Sequence, residues 1–506
     1  MHHEALADAA AVVGALGAVG VLLARNRLLF LAGIGALVLA EVALSEALVP
    51  DAPRQLTDST ARLGLLGLAV VAGLALAAAF IRVPAAAPVA LLVVAPFRLS
   101  VGLGKEQAFL LLPFYAVLVA AVAALAWLVL RGKTLAPIPA LVGAPAGILV
   151  ALSGVSLLWA HDPREGTVEL LFFYFPFALL VAIVARTPLR EWSWRALATA
   201  LVAVTSAFAA IGIYQAWSHT DLIAKQDVQL RNAYASFFRV TSVFQDPSVY
   251  GRHLVLGIVV LLSVLWLAFV RPAVALPLLA LLAVGLFFSY SQTSFVALFA
   301  AVLVVTLMAG DALTRRVVVG VSVALVVAAG IAVFTVRGTD SAGKVTSDRL
   351  PLARLTWPVF VHHPVVGVGI GSQPLMSRRE ANAPSQKKKN VSHTTPLTVA
   401  AELGTIGLLV YLAFLAALGR ALLFAWRRHR AAGLALAGSL TALVVQSLFY
   451  GGFFEDPFVW GIAGLAAAVL TFVPELAHQP ARAETGPGPR ATHAGPLPAR
   501  PPDTPG

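Results

Sequence analysis

Residues 392–418 read SHTTPLTVAAELGTIGLLVYLAFLAAL, and the change of character within this stretch decides the fold. Its first residues are polar. From Pro396 onward it is apolar for about the 20 residues that cross a bilayer as an α-helix. Thr followed by Pro just before an apolar run marks a helix start. Thr395 is expected to cap, and Pro396 fits the first turn, where its missing N–H costs nothing. His393 therefore stands just ahead of the N-terminus of a membrane helix. The free N–H groups and positive dipole end there favour an anion, phosphate above all. A titratable imidazole beside such a site is a candidate active centre.

Working outward, residues 349–372 read RLPLARLTWPVFVHHPVVGVGIGS, and a basic run follows at Lys387, Lys388 and Lys389. The part from Leu350 to Val361 predicts a short amphipathic helix on the membrane surface, limited by Pro351 and Pro358. The glycine-rich part, His363 to Gly371, is not followed by Gly-Lys-Ser/Thr and so is no P-loop. It predicts a tight turn with its backbone close to a partner.

Apolar runs of membrane-spanning length recur through the 506 residues, which are 59% hydrophobic and 12% charged, with mean hydropathy +0.87. The chain reads as all-α, a polytopic membrane protein; the alternating strands of a membrane barrel are absent. With no cysteine, disulfides and thiolate metal or redox sites are excluded. The net charge of +12 points to anionic partners. In a membrane protein, topology and anionic lipid account for it, and the scatter of basic residues over short loops speaks against nucleic acid.

Candidate spans are Ala5–Ala24, Leu28–Leu48, Leu63–Ile81, Ala85–Ala95, Phe109–Leu130, Ala140–Trp159, Thr167–Ala185 and Ala196–Trp217. Then come His253–Val270, Ala273–Phe288, Phe295–Met308, Val317–Val333, Pro396–Leu418, Ala432–Phe449 and Val459–Phe472. Ala85–Ala95 is short enough to be re-entrant, and Ala273–Phe288 with Phe295–Met308 can form one broken element. The total expected is about 12 to 15 spans. The first run has no basic leader and no clear cleavage site, so it reads as a retained span.

Arg25, Arg27, Arg82, Arg131, Lys133, Arg186, Arg190, Arg195, Arg271, Arg315, Arg316, Arg420, Arg427, Arg428 and Arg430 fall on one side, the cytoplasm by the positive-inside rule. The expected organisation is N-terminal membrane helices (1–217), an extracytoplasmic loop (218–252), central helices (253–335), a long extracytoplasmic loop (336–395) and C-terminal helices (396–473). A tail, 474–506, rich in Pro, Ala, Gly and Arg, is expected to be disordered in the cytoplasm.

In the first loop, Arg239 and Arg252 flank a Phe-Gln-Asp-Pro-Ser turn. They suit bidentate phosphate binding, or they snorkel to headgroups or pair with Asp246. The second loop carries Arg349, Arg354, Arg378 and Arg379, while the lysine run reads as a solvated or lipid-facing patch. Glu402, about two turns into the last long span, needs a partner or a wet cavity. His362 and His363 are adjacent and cannot share a helix face. No metal set or nucleotide loop is evident, so chemistry needing neither fits.

Three blocks together resemble the O-antigen ligase and O-antigen polymerase superfamily of multispanning glycosyltransferases. They are Arg239-Val-Thr-Ser-Val-Phe-Gln-Asp-Pro-Ser-Val-Tyr-Gly, then Arg349 followed by His363-Pro-Val-Val-Gly-Val-Gly, then His393-Thr-Thr-Pro-Leu-Thr-Val-Ala-Ala-Glu-Leu-Gly-Thr-Ile-Gly. Ser248 and Thr394 stand where the family often has Asn, and Ser291-Gln292 where it usually has Ser-Arg. The resemblance implies a GT-C-like fold. It also implies transfer of a glycan from an undecaprenyl-diphosphate carrier to an acceptor hydroxyl on the outer face of the inner membrane, with no metal or nucleotide cofactor. The acceptor would be lipid A core, another envelope glycan or lipid, or a protein; in a polymerase it would be a second carrier-linked repeat.

His393 is the expected general base, Arg239 and Arg349 the expected diphosphate cations, and Arg354 and Arg252 their reserves. Single displacement would invert the anomeric carbon, and a groove between helices would take the polyprenyl chain. A multispanning transporter and a non-catalytic scaffold remain the readings from other classes.

Overall fold

The computed structural model describes residues 2–49, 60–103, 106–235, 237–336, 349–380 and 391–474. The lysine run at 387–389 and nearly all of the C-terminal tail lie outside them. Among the described residues the regular structure is helical apart from one antiparallel hairpin, β1 (Leu99–Leu103) and β2 (Glu106–Leu110). Nine of the described helices are long and apolar enough to cross a membrane, and three shorter apolar helices accompany them. Leu39, Leu68, Val119 and Leu409 expose 68%, 66%, 67% and 61% of their surface. A water-facing protein does not leave such a belt uncovered; a lipid-facing one does. The chain is a multi-pass membrane protein.

The first half comprises α1 (His2–Leu23), α2 (Arg27–Leu48), α3 (Thr60–Arg82), α4 (Ala86–Val94), α5 (Leu112–Leu130), α6 (Ala140–Val155), α7 (Pro163–Ala185) and α8 (Glu191–Ser218). With nine residues, α4 rises only about 14 Å. It cannot cross a core of about 30 Å alone, and the hairpin connects it to α5. Midway along α7, Leu170–Tyr174 form a π turn, and the Tyr115 hydroxyl donates to the Phe172 carbonyl within it at 2.6 Å.

In the second half, α9 (Gln226–Tyr234) lies within the first loop. It is followed by α10 (Pro247–Trp266), α11 (Pro272–Phe288), α12 (Gln292–Ala309) and α13 (Ala312–Val336). The second loop contains α14 (Arg349–His362) and α15 (Gln373–Glu380). Then come α16 (Thr395–Arg428), α17 (Arg430–Ser447) and α18 (Pro457–Phe472). Two cores form, one chiefly around α1, α2, α5, α6, α7, α16 and α18, the other around α8, α10, α11, α12 and α17.

Some elements differ from the apolar pattern. α10 begins at Pro247, before the apolar run, because Asp246 caps it by accepting from the Ser248 N–H at 2.8 Å. Arg252 is therefore a helical residue rather than a loop residue. α11 and α12 are separate helices, parted where Tyr290 has φ 47° and Ser291 caps the Ser294 N–H. Pro358 lies inside α14 without ending it.

The contacts sort the ends of the bundle. At one end Arg186 donates to the carbonyls of Val21 (2.9 Å) and Ala24 (3.3 Å), the Trp194 and His429 rings are 5.2 Å apart, and Arg428 reaches the Leu470 carbonyl. This is the end where the sequence concentrates its basic residues. At the other end the segment before α7, the two loops and the start of α18 meet.

Candidate active site

The site is built on an interrupted helix. α16 breaks at Gly404, whose φ of 65° and ψ of −164° are outside the helical region and essentially restricted to glycine. The break frees backbone groups that lipid cannot satisfy. The glycine-rich strand ahead of α15 supplies the partners. Val368 and Gly369 donate to the carbonyls of Ala401 (3.0 Å) and Glu402 (2.8 Å). In return, Thr405 and Ile406 donate to Pro364 (2.8 Å) and Val365 (3.3 Å). On its far side the strand is held by the segment before α7: the His161 N–H donates to Val368 at 3.1 Å, and Ile370 donates to the Ser156 hydroxyl at 3.2 Å. Gly369, at φ 86°, lies so close to Ala160 that a Cβ would collide with its backbone. The tight turn with backbone close to a partner is present, and the partner is the chain itself.

The carboxylate of Glu402 is buried at this junction. It accepts from the backbone amides of Gln373, at 3.2 Å, and Gly371. A carboxylate that is costly in a span is thus met by peptide donors of the glycine-rich segment, which plugs the break in α16.

Gln373 is fully buried and ties four elements together. Its amide nitrogen donates to Thr356 on α14 (3.0 Å) and Ser377 on α15 (2.8 Å). Its side-chain oxygen accepts from the Ser392 N–H at 3.0 Å, and its own N–H meets Glu402 on α16. Ser392 immediately precedes His393, so Gln373 fixes the backbone that carries the imidazole. The helix start lies one residue earlier than the sequence indicates. Thr394 is the N-cap, without a side-chain cap bond, and Thr395 is the first helical residue with Pro396 in the first turn. Ser392 takes up the local capacity instead: its hydroxyl accepts from the Thr394 N–H at 3.3 Å. The Thr395 hydroxyl is buried without a hydrogen-bond partner among the described residues.

His393 faces Tyr450, with ring centroids 6.2 Å apart. Arg252 also packs on Tyr450, its guanidinium carbon 5.3 Å from the ring centroid. Burial raises the Tyr450 pKa above its ordinary value, so its hydroxyl is a neutral donor. Arg252 is itself buried. It pairs with Asp456 at 2.6 Å and donates to Gln446 at 3.1 Å, while Gln446 donates to the Ser248 carbonyl at 2.9 Å. Its charge is spent on binding α10 to the N-cap of α18.

Arg239 differs. Asn232 clamps its peptide from both sides, accepting from its N–H at 2.9 Å and donating to its carbonyl at 3.0 Å. Its Nε is buried with no hydrogen-bond partner among the described residues. Burial lowers its pKa from the ordinary value, with Arg231 adding to the effect and Asp246 opposing it. Arg349 is the first residue of α14. Arg354 is exposed and shares its stripe with Trp357 and Val361, which expose 56% and 51% of their surface. That face looks away from the Thr356–Gln373 contact. The structure thus brings His393, Tyr450 and Arg252 together and turns Arg354 outward. Sequence reasoning missed Gln373 and Tyr450. The only local signal for Gln373 was its place directly after Gly-Ile-Gly-Ser.

A groove of about 400 Å³ runs between α4, α8, α10, α17 and α18. Its walls are apolar, with Leu91, Leu201, Leu256, Val260, Leu436 and Ile462 among them. Trp194 and His429 mark its basic end, and Ala95 and Pro457 its site end.

Residues 277–412 match the family model described as O-Antigen ligase. The match runs from within α11 to within α16 and contains Arg349, the glycine plug, Gln373 and His393. It supports the O-antigen ligase superfamily and a ligase-like glycosyltransferase activity. No curated protein matches the chain.

Proposed function

Taking a ligase-like glycosyltransferase as the premise, we propose that this protein moves a glycan from an undecaprenyl-diphosphate carrier to an acceptor hydroxyl. The reaction takes place on the outer face of the inner membrane. The observation that carries the reading is the mounting of His393. Gln373 holds its backbone, Tyr450 lies against its ring, and the arrangement stands at the end of the bundle opposite the basic loops. The positive-inside rule then makes that end extracytoplasmic.

In the proposed step, the acceptor O–H gives its proton to the His393 imidazole as its oxygen forms a bond to the anomeric carbon. The bond from that carbon to the diphosphate oxygen breaks on the opposite face. The configuration inverts, and undecaprenyl diphosphate leaves. The donor is already activated, so the site's task is to neutralise charge developing on the diphosphate. Arg239 and Arg349 are assigned to this, with Arg354 held at the membrane-facing side of α14. Arg252, paired with Asp456, holds Tyr450 and α18 in place. The apolar groove takes the polyprenyl chain. Its volume falls within the usual range for small-molecule sites, roughly 300–1,000 Å³, and its walls are mostly apolar, with Glu191, Arg195, His429 and Arg430 confined to the basic end.

The test is transfer by purified protein in nanodiscs, from a polyprenyl-diphosphate glycan pool to envelope acceptors, with chelator present. Transfer that collapses in His393→Ala while donor binding persists supports the reaction and the base together. Undiminished transfer in that variant removes His393 from the role. Folded protein that binds donor and transfers to no acceptor counts against the reading and in favour of a scaffold or transporter.

A further inference from the structure

Arg98 belongs to none of the motifs discussed so far. It follows α4 across a short turn, and its Nη2 donates to the carbonyl of Glu455 at 3.2 Å. Ala95, just before it, and Pro457, just after Glu455, both line the site end of the apolar groove. The guanidinium therefore ties together the two segments that flank the site end of the groove. Arg98 is exposed and makes no ion pair among the described residues. One of its N–H donors is used on a carbonyl, and the rest of the fork is available. The turn it meets carries Glu455 and Asp456, and Asp456 pairs with the Arg252 that packs on Tyr450, the residue facing His393. The nearby Arg252 is neutralised by Asp456.

We propose that Arg98 anchors the diphosphate of the lipid donor at the outer end of the groove, a headgroup contact supplied by the N-terminal half of the chain. The proposal rests on the donor assigned above. A guanidinium fork fits two phosphate oxygens, and a tail entering between α4 and α18 passes directly beneath it. The carbonyl of Glu455 fixes the fork from behind. The carboxylate of Glu455 lies on the same turn and opposes an anion there, so removing its charge is predicted to tighten binding.

The experiment titrates undecaprenyl diphosphate and inorganic diphosphate separately onto the full chain in nanodiscs. Wild type is compared with Arg98→Ala, Arg98→Lys, Glu455→Gln and Gly461→Leu. Gly461 lines the groove, and a Cβ there meets nothing within 4 Å, so the added side chain enters the groove rather than the core. Arg98→Ala is expected to weaken the lipid about tenfold or more, the size of one lost charge-assisted contact, with Arg98→Lys intermediate. Glu455→Gln is expected to strengthen it. Gly461→Leu is expected to weaken the lipid and leave inorganic diphosphate unaffected. In the transfer assay, Arg98→Ala raises the donor KM and spares kcat.

Unchanged lipid affinity in folded Arg98→Ala overturns the proposal, and so does a loss confined to kcat. Should that variant fail to fold, Glu455→Gln decides: no tightening overturns the anchor. Equal loss of inorganic diphosphate in Gly461→Leu overturns the tail's place in the groove. Wild type that binds the lipid through Arg98 but transfers no glycan refutes the transferase reading and leaves the anchor standing.

Discussion

Replacing Gly404 by alanine tests the interrupted helix directly. The position has φ 65° and ψ −164°, where a side chain costs about 1–3 kcal/mol in strain. A Cβ there would also run into the carbonyl of Val365, which accepts from Ile406 at 3.3 Å beside the Thr405–Pro364 bond of 2.8 Å. Moving the strand away gives up these bonds, each with a net contribution of about 0.5–1.5 kcal/mol. Together these effects predict a loss of about 3–5 kcal/mol, large against a marginal total stability. The same helix offers a control: at Gly419 a Cβ meets nothing within 4 Å, so Gly419→Ala should be neutral or slightly stabilising. Unfolding in detergent, followed by heat and by denaturant, measures the difference. The absence of native cysteine allows a single reporter, Ser392→Cys, to be added to both backgrounds. Its thiol should label faster only in Gly404→Ala. If the two alanine variants unfold alike and label alike, the plug does not hold the break.

Arg252→Ala should cost about 3–5 kcal/mol, because it leaves Asp456 buried without its partner; the loss should appear in thermal unfolding before it appears in the donor KM. His393→Ala should lower transfer about 10²–10⁴-fold with donor affinity held, read by single-turnover kinetics. Gln373→Ala leaves the Ser392 N–H unpaired, at a cost of about 1–3 kcal/mol, and should reduce kcat more than it raises the donor KM. An equal effect on both constants would assign Gln373 a purely structural role.

Much of this fold follows from local pattern. A long apolar run with a polar start is a membrane helix in any context, and the spans sit where the runs are. The starts are less legible. Asp246 and Pro247 open α10 while the sequence is still polar, since a cap needs one side chain and no apolar periodicity. The glycine loop announced a close backbone approach, because few other roles require so many glycines. The pattern did not show that its target lay inside α16. The function of Arg252 was hidden for a different reason. Its partner is 204 residues away, and one-dimensional spacing carries no trace of that meeting. Gln373 is hidden likewise: its four contacts come from three helices and a loop. His393 was legible only because a Thr-Thr-Pro start stands beside it, and that start shifts by one residue once Ser392 takes over the local hydrogen bonding.

The order of the chain gives the interrupted helix a further consequence. The strand that completes α16 precedes it in sequence, so the ribosome delivers the plug before the gap it fills. After Gly404, residues 405–428 remain long enough to cross a bilayer unaided, at about 1.5 Å per residue. Insertion can therefore proceed on the lower segment alone. The upper segment, bearing Glu402, is left at the membrane boundary until the waiting strand receives it. Biogenesis and assembly of the candidate site become one event: a chain that inserts correctly but fails to dock its plug has all its spans and no seat for His393.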